Sequence, residues 1–472
     1  MIFILDFLAL LFALFLIIQT FKLILFIFYL WQTVEYRTDR LFARLQNKGD
    51  QKELFSYLNF LNLFPPNKYP KRTLRIIFTF ILLIFIYYHL FFFIYRLLLH
   101  IIKMESKLVF TLFLVLLIFY YLTPLFISFL TLLVSLLLLP IKKYIIFLAK
   151  KKLENYSNVV VIGITGSYGK SSTKNIISEV LSLKYKVVKT PANVNTQIGV
   201  AKTILQSVKA DTQFFVVEMG AYKIGEIKAI CNLVNPKTAV ITGINSQHLS
   251  LFGTMTKILK AKYELIKALP DSGSAFFNVQ NKYCLSLYKK TRIKQSFLYG
   301  GKAAEFEEAI DAGVLIGKYF QVPAGKIKKI TPRLKKLLEL KRVKNKNGLI
   351  IFNDSYSVNS NGFAKALKTI SIYKRKKLVI TPGIIELGNN SKKIHRLLGR
   401  QMSEIADKII ITNRNFYDEI LSNVKKENKK KFLLANNPFL IQIWLREKLN
   451  RQWLALIEGR VPMDIKNFFL KG

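Results

Sequence analysis

Two kinds of hydrophobic pattern divide the chain at about Pro140. Before it lie three long apolar segments, which run from Met1 to Trp31, from Ile76 to Tyr95 and from Leu108 to Leu139. Each is at least as long as the roughly 20 residues that a helix needs to cross a bilayer. The first segment lacks the basic start and the small-residue cleavage site of a signal peptide. We therefore predict a membrane region over residues 1–150 with about three transmembrane helices.

The distribution of basic residues predicts the orientation of this region. The loop of residues 32–72 carries eight Lys or Arg, and five lysines lie between Lys142 and Lys152. Because basic loops favour the cytoplasmic side, three spans place both regions in the cytoplasm. A bend at Pro124 would give four spans, two of them only about 15 residues long, which is short for a bilayer. We prefer three spans in contact with membrane lipid, with the rest of the chain in the cytoplasm.

After Asn158, short apolar runs alternate with helical patterns, which is typical of an α/β fold with parallel sheets covered by helices on both faces. The first series predicts a phosphate-loop domain over residues 156–326, and the second predicts a Rossmann-like domain over residues 330–472. A Lys-rich segment, residues 325–347, is the predicted junction. The strands predicted after the phosphate loop are residues 186–189, 213–218, 238–241 and 274–278, followed in the second series by 349–352, 378–381, 408–411 and 454–457.

Composition limits the classes of function that fit the chain. Hydrophobic residues make up 51% of it, which is high for a soluble protein of this size. The formal net charge is +44, but the basic residues are scattered along the chain. We therefore interpret the charge as a solvated surface that suits anionic lipid, and we predict no nucleic-acid binding. Cys231 and Cys284 lack metal-ligand spacing and are typical of a reducing compartment.

A glycine-bounded turn between an apolar β-branched run and a predicted helix is the first candidate site. Gly166 and Gly169 allow backbone N–H groups to face an anion, and the following helix adds the positive end of its dipole. Lys170 would then reach nucleotide phosphates, and Ser171 would bind Mg²⁺. The full Walker pattern is not met, since Ile164 occupies the place of its first glycine. The predicted loop consists of Thr165, Gly166, Ser167, Tyr168, Gly169, Lys170, Ser171 and Ser172.

Polar residues that follow other predicted strands extend this candidate site. Ligands of open parallel sheets gather at the carboxyl ends of the strands. Glu218 ends one strand and could share a Mg²⁺ with a hydroxyl of the phosphate loop. His248 follows another strand and is a candidate ligand or a structural histidine. Lys262, judged from its own segment, would be a solvated helix residue.

Eight short strings together resemble the Mur ligase family, most closely its D-alanyl-D-alanine-adding branch. They occur in family order between about residues 158 and 400, and each is weak alone. They lie at residues 165–174, 190–195, 218–221 with 225–227, 248–249 with 252–253, 261–262 with 264, 278, 354–356, and 386–388 with 395.

The resemblance implies roles for individual residues. Lys170, His248 and Lys262 would be catalytic, with Lys170 and the loop amides on the phosphates of ATP. Ser171 and Glu218 would hold one Mg²⁺, while His248 and a carbamylated Lys262 would serve a second. The other implied nucleotide contacts are Asn278, Arg333, Asp354 and Tyr356. The implied substrate residues are Thr190, Asn193, Asn195, Asn359 and Glu386.

The resemblance also implies an activity, although the sequence departs from the family pattern in several places. It implies an ADP-forming ligase of the bacterial inner membrane that joins an amino acid or dipeptide to a peptidoglycan precursor through an acyl phosphate. Gly243 replaces an Asn of the family, and Ser357 and Ser360 alter the string after Tyr356. Membrane segments also stand where the family has a uridine-nucleotide-binding domain. The alternatives are the same chemistry on a folate-type or lipid-linked carboxylate, and an inactive nucleotide-binding membrane scaffold.

Overall fold

The computed structural model describes residues 2–45, 48–59, 61–62, 69–101, 105–301, 308–340, 342–344, 348–354, 359–435, 445, 447–462, 465 and 467–469. The chain divides into two compact units, Met1–Lys142 and Lys143–Gly472. The first unit ends eight residues before the boundary at residue 150 that the sequence predicts.

The first unit is built from long apolar helices. Its helices are α1 (Ile2–Thr33), α2 (Thr38–Leu45), α3 (Lys48–Leu58), α4 (Leu74–Ile101) and α5 (Glu105–Leu137), and α6 (Leu139–Glu154) begins at its end. By length and composition, three helical stretches of the described residues are able to cross a membrane: 11–33, 74–97 and 113–154. Helix α5 passes Pro124 without a break, so the third segment is a single long helix there, as the three-span prediction requires.

The first sheet of the second unit has six parallel strands in the order β2-β3-β1-β4-β5-β6. Its elements are β1 (Val160–Thr165), α7 (Lys170–Leu181), β2 (Val187–Lys189), α8 (Gln197–Ser207), β3 (Phe214–Glu218), α9 (Glu226–Val234), β4 (Thr238–Ile241), α10 (Leu249–Phe252), α11 (Met255–Lys267), β5 (Ser274–Asn278), α12 (Lys282–Lys290), β6 (Gln295–Tyr299), α13 (Glu308–Tyr319) and α14 (Ala324–Leu338).

Helices cover both faces of this sheet because its strands are apolar on both sides. Along β1, Val161 packs into one core cluster with helices α8, α9 and α11, whereas Ile162 and Ile164 pack into a second cluster with α7 and α13. Successive side chains of a strand point to opposite faces, so a continuous apolar run fills two cores.

The second sheet also has six strands, in the order β11-β10-β9-β12-β8-β7, and only β7 is antiparallel to its neighbour. Its elements are β7 (Arg342–Lys344), β8 (Ile350–Asp354), α15 (Ser360–Ser371), β9 (Lys376–Thr381), α16 (Ser391–Ile405), β10 (Lys408–Ile411), α17 (Tyr417–Leu421), β11 (Phe432–Leu434) and β12 (Trp453–Glu458). The predicted fold class, an α/β chain with two such sheets after apolar helices, is confirmed.

The junction between the two sheets lies later than the sequence predicts. Helix α14 runs across residues 326–330, where one predicted domain ends and the next begins. Its Ile327 and Leu334 are buried in the core of the first sheet. The lysines of this segment alternate with apolar residues at helical spacing, so the segment packs as an amphipathic helix instead of serving as a linker.

Candidate functional site

The turn after β1 is fixed by close backbone approaches that only glycine permits. A Cβ atom on Gly166 would lie 2.1 Å from Thr242 Oγ1, and one on Gly243 would lie 2.3 Å from the ring of Tyr168. Gly169 has a φ of 78°, in the left-handed region. The hydroxyl of Thr242 donates to the carbonyl oxygen of Tyr168 at 2.5 Å. The turn is therefore fastened to the end of β4, and helix α7 starts directly after it.

Lys170 lies inside this turn. Its Nζ donates to the carbonyl oxygens of Gly166 at 2.9 Å and Ser167 at 3.3 Å. Burial lowers the pKa of Lys170, and the nearby carboxylate of Glu218 opposes that shift. A helix N-terminus, a glycine turn and a half-buried lysine together form a suitable cradle for an anion.

Glu218 is held at the end of β3 by side chains from two other segments, helix α7 and the loop after β2. Ser171 Oγ donates to Glu218 Oε2 at 2.8 Å, and Lys174 Nζ donates to the same oxygen at 3.0 Å. Asn195 Nδ2 donates to Oε1 at 3.4 Å, and Thr190 Oγ1 accepts from the Glu218 N–H at 3.1 Å. The predicted pair of hydroxyl and carboxylate is therefore formed, and two predicted substrate residues lie beside it.

Lys174 is a site residue that the roles drawn from the sequence did not include. It lies one helical turn after Lys170 and is 1% exposed. Residues four apart share one face of a helix, so the spacing of the two lysines was a usable signal.

The hydroxyl and carboxylate of Ser171 and Glu218 fit a Mg²⁺ ion. Mg²⁺ is held in nucleotide sites by one or two protein oxygens, together with phosphates and waters. Among the described residues, no group of three or more His, Cys, Asp or Glu side chains could hold a metal ion, so an all-protein cage is not formed there. The donor set instead suits a cation that arrives with a nucleotide.

His248 connects the loops of the two sheets. Its Nδ1 pairs with Oε2 of Glu386, and its ring meets that of Tyr222 edge to face at 4.8 Å. The backbone N–H of Ser250 donates to the carbonyl oxygen of Glu386 at 3.3 Å. Burial lowers the pKa of His248, and the Glu386 carboxylate opposes the shift. This long-range pair brings a predicted metal ligand against a predicted substrate residue.

Lys262 is a buried residue of α11, so the interpretation as a solvated helix residue was wrong. Burial, helped by the positive charge of Lys170, lowers its pKa to about 7. The charges of Lys262 and Lys170 also lower the pKa of His248, and the Glu218 carboxylate raises the pKa of Lys170. Lys170 therefore lies close enough to Glu218, His248 and Lys262 for their charges to interact.

Two predicted nucleotide contacts are hydrogen-bonded to other groups of the protein. Asn278 is fully buried, and its Nδ2 donates to the Thr242 carbonyl oxygen at 2.8 Å and to Glu308 Oε2 at 2.5 Å. Arg333 lies on α14 and donates to Glu179 Oε2 at 2.9 Å. Glu179 is nine residues after Lys170 on α7, about 13 Å along the axis. The structure does not bring Arg333 to the phosphate turn.

The remaining predicted residues are spread over loops of both sheets. Asn193 is exposed and has a φ of 63°. Asn359 caps α15, since its Oδ1 accepts from the Gly362 N–H at 2.9 Å. Asp354 ends β8, where burial raises its pKa. Tyr356 lies outside the described residues.

Glu458, at the end of β12, is a second feature that the sequence-based roles did not include. It is the register partner of Asp354 and is fully buried. Within the described part of the chain, neither of its carboxylate oxygens has a hydrogen-bond partner. Burial, and then the charge of Asp354, raise its pKa well above the usual range. An acidic residue at the end of a buried strand was the available signal.

Comparison with known proteins identifies the middle of the chain. Residues 164–331 match the family described as the Mur ligase middle domain. A UDP-N-acetylmuramoyl-tripeptide–D-alanyl-D-alanine ligase of Bacillus subtilis is 30% identical over 275 residues, which are 52% of this chain and 60% of that protein. The ligase of the same name from Borreliella burgdorferi is 30% identical over 54% of this chain and 63% of its own. The chain thus spans less than two thirds of these relatives.

Solved structures share the fold of the two sheets. MurF from Acinetobacter baumannii aligns with a TM-score of 0.58 at 21% identity, over 70% of this chain and 80% of its own. MurF ligase from Thermotoga maritima, solved in complex with ADP, aligns with a TM-score of 0.54 at 22% identity, over 70% of this chain and 85% of its own. Residues 164–331 therefore match the model of the Mur ligase middle domain, and the two sheets share the fold of the solved MurF structures.

Proposed function

We propose that the protein is an ATP-dependent, ADP-forming ligase that joins D-alanyl-D-alanine or an amino acid to a peptidoglycan precursor. The observation that supports this most is that Ser171 of the phosphate turn is hydrogen-bonded to Glu218, while the neighbouring Lys170 lies close enough to Glu218, His248 and Lys262 for their charges to interact. A nucleotide-binding scaffold without activity would need the phosphate turn but neither the buried Lys262 nor the half-buried His248.

The proposed reaction has two steps. The γ-phosphoryl group of ATP passes to a carboxylate of the precursor, giving an acyl phosphate and ADP. An amine then attacks the acyl carbon, and the tetrahedral intermediate expels phosphate to leave an amide. Lys170 and the start of α7 would offset charge on the phosphates. Mg²⁺, held by Ser171 and Glu218, would neutralise phosphate charge further.

Lys262 is suited to the carbamylation that the family resemblance implies. With a pKa of about 7, a large share of its side chain is a neutral amine near neutral pH. A neutral amine can attack the carbon of CO₂ and release one proton, which gives a carbamate anion in place of an ammonium. Such an anion beside Lys170 would replace a repulsion by an attraction.

The test of Lys262 is chemical rescue. Lys262→Ala should lose most of its turnover, and added formate or acetate should restore part of it by supplying a carboxylate. Lys262→Arg, which keeps a positive charge but forms no carbamate, is the matched control and should not be rescued. If no concentration of added carboxylate raises the turnover of Lys262→Ala, the carbamate is contradicted.

The test of the ligase is turnover by the full chain in detergent or nanodiscs. With ATP, D-alanyl-D-alanine and UDP-linked tripeptide, we expect ADP release and a product of the mass of the amide. Lys170→Ala should reduce the rate by about 10²–10³-fold or more. Lys186→Ala removes a lysine of an exposed ion pair with Asp211 and should leave the rate unchanged. ATP hydrolysis without any amide product would overturn the proposal.

A lipid-linked precursor is the second candidate acceptor, because three helices able to cross a membrane precede the ligase-like part. We place the protein in the bacterial inner membrane as a multi-pass protein with its two sheets in the cytoplasm. Comparing UDP-linked with lipid-linked tripeptide decides between the acceptors. Turnover of the soluble acceptor alone would exclude the lipid-linked one, and release of the protein by alkaline carbonate would exclude membrane integration.

A further inference from the structure

Helix α7 carries two lysines on one face, the half-buried Lys170 and the buried Lys174, and the second of them has no assigned role. Lys174 Nζ donates to Glu218 Oε2 and to the Pro191 carbonyl oxygen, both at 3.0 Å. The side chains of Lys174 and Glu218 are 1% and 3% exposed. A buried ion pair of this kind is expensive to form, so it calls for an explanation beyond stability.

We propose that Lys174 is a positioning residue that orients the Glu218 carboxylate so that Oε1 is the oxygen offered to a divalent cation. The proposal rests on the proposed function only in taking this rim as the site of a nucleotide with its cation.

The two oxygens of Glu218 are used unequally. Oε2 accepts from Ser171 at 2.8 Å and from Lys174 at 3.0 Å, which are ordinary hydrogen-bond lengths. Oε1 accepts from Asn195 at 3.4 Å, which is longer than the usual range for an N–H donor. Each carboxylate oxygen has two lone pairs. Two protein donors therefore saturate Oε2, whereas Oε1 keeps the capacity to bind a cation.

The bond to Pro191 gives the ammonium a second function. Pro191 lies in the loop after β2, which also supplies Thr190 and Asn195 to Glu218. Lys174 therefore ties helix α7, the carboxylate and this loop to one point. Rotation of the carboxylate would break the contact with Lys174, so the lysine selects one orientation of Glu218.

Removal of Lys174 should change the affinity of the site for a cation in two opposite ways. Loss of a positive charge near the cation would tighten binding by electrostatic attraction. Loss of the orienting contact would weaken it, and partners that orient metal ligands are typically worth about 10–100-fold in metal affinity. We expect the second effect to dominate, because the carboxylate is buried and its other Oε2 partner, Ser171, is itself proposed to bind the cation.

The experiment measures Mn²⁺ binding by EPR on the full chain in nanodiscs with the non-hydrolysable nucleotide AMP-PNP. Lys174→Met keeps the length of the side chain without its charge and should weaken Mn²⁺ binding about tenfold or more. Affinity for AMP-PNP in EDTA, read by fluorescence, should change less than about twofold, since Lys170 and the turn remain. Lys184→Met, which removes a lysine that donates to the Gln321 carbonyl oxygen, is the control and should match the wild type in both.

Unchanged or tighter Mn²⁺ binding by Lys174→Met would overturn the proposal. If that variant does not fold, Lys174→Gln is measured instead, since it keeps an N–H donor, and it should show a smaller loss in the same direction. Circular dichroism that shows both variants unfolded would assign Lys174 to stability and also overturn the proposal. A wild type that binds Mn²⁺ and AMP-PNP but forms no amide would refute the ligase while leaving this inference standing.

Discussion

Two buried glutamates each end a parallel strand, one in each sheet, but have opposite surroundings. Glu218 ends β3 of the first sheet, and Glu458 ends β12 of the second. Glu218 accepts hydrogen bonds from Ser171, Lys174 and Asn195. In the described part of the chain, neither oxygen of Glu458 has a partner, and its nearest acidic neighbour along the rim is Asp354.

The two glutamates differ in whether neighbouring groups offset a buried negative charge. A buried charge is costly unless it is paired and hydrogen-bonded. At the first rim the Ser171 hydroxyl and the Lys174 ammonium donate to the Glu218 carboxylate, where a cation and phosphates would bind. At the second rim burial and Asp354 raise the pKa of Glu458, so its neutral form is favoured.

The same substitution should therefore act in opposite directions, with its largest effect at the first rim. Glu218→Gln leaves the ammonium of Lys174 buried without its anion. Breaking a buried ion pair by removing one partner costs about 3–5 kcal/mol, so the first sheet should lose that much stability. Hydrogen exchange of peptides from β1 and β3 measures it. A loss below about 1 kcal/mol would mean that the pair contributes as little as a surface pair.

Glu458→Gln should make the second sheet less sensitive to pH. Because the folded pKa is raised, the stability contributed by neutral Glu458 is complete below about pH 4.5 and is lost as pH rises through the folded pKa. Over that range the wild type should lose up to about 1.4 kcal/mol per pH unit, and the variant should not. Hydrogen exchange of β12 between pH 5 and 8 checks this. The same pH dependence in the wild type and in Glu458→Gln would show that the Glu458 carboxylate is paired.

The smallest effect is expected from Arg333→Ala, which tests how far the first rim extends. The Arg333 side chain is 69% exposed, and an exposed ion pair contributes at most about 1 kcal/mol. Stability should change by less than about 0.5 kcal/mol, and KM for ATP by less than about twofold. A tenfold rise of KM would show that Arg333 reaches the nucleotide, as the family resemblance implies.

Local patterns in the sequence were enough to predict most strands of the fold, although β6, β7 and β11 were not predicted. Residues 160–164 are apolar or glycine because β1 is buried on both faces, and the long apolar segments exceed what a soluble helix needs. The turn, Ser171 and Glu218 could be placed at one rim because parallel strands end on the same side.

Pairings between distant residues could not be predicted in this way. His248 and Glu386 are 138 residues apart, and no periodicity connects them. Lys174 and Glu458 look like surface charges until the packing around them is known. Arg333 was expected at the nucleotide because the family resemblance implies that role, but its helix packs on the first sheet and directs it to Glu179.

The pair of His248 and Glu386 has a mechanical consequence. One partner belongs to the loops of the first sheet and the other to those of the second, so drawing the sheets apart would unmask an imidazole nitrogen and a carboxylate in the same movement. We expect the affinity of the rim for cations to follow the distance between the two bodies. Spin labels on each body, read at increasing Mn²⁺, would report that coupling as a change in separation.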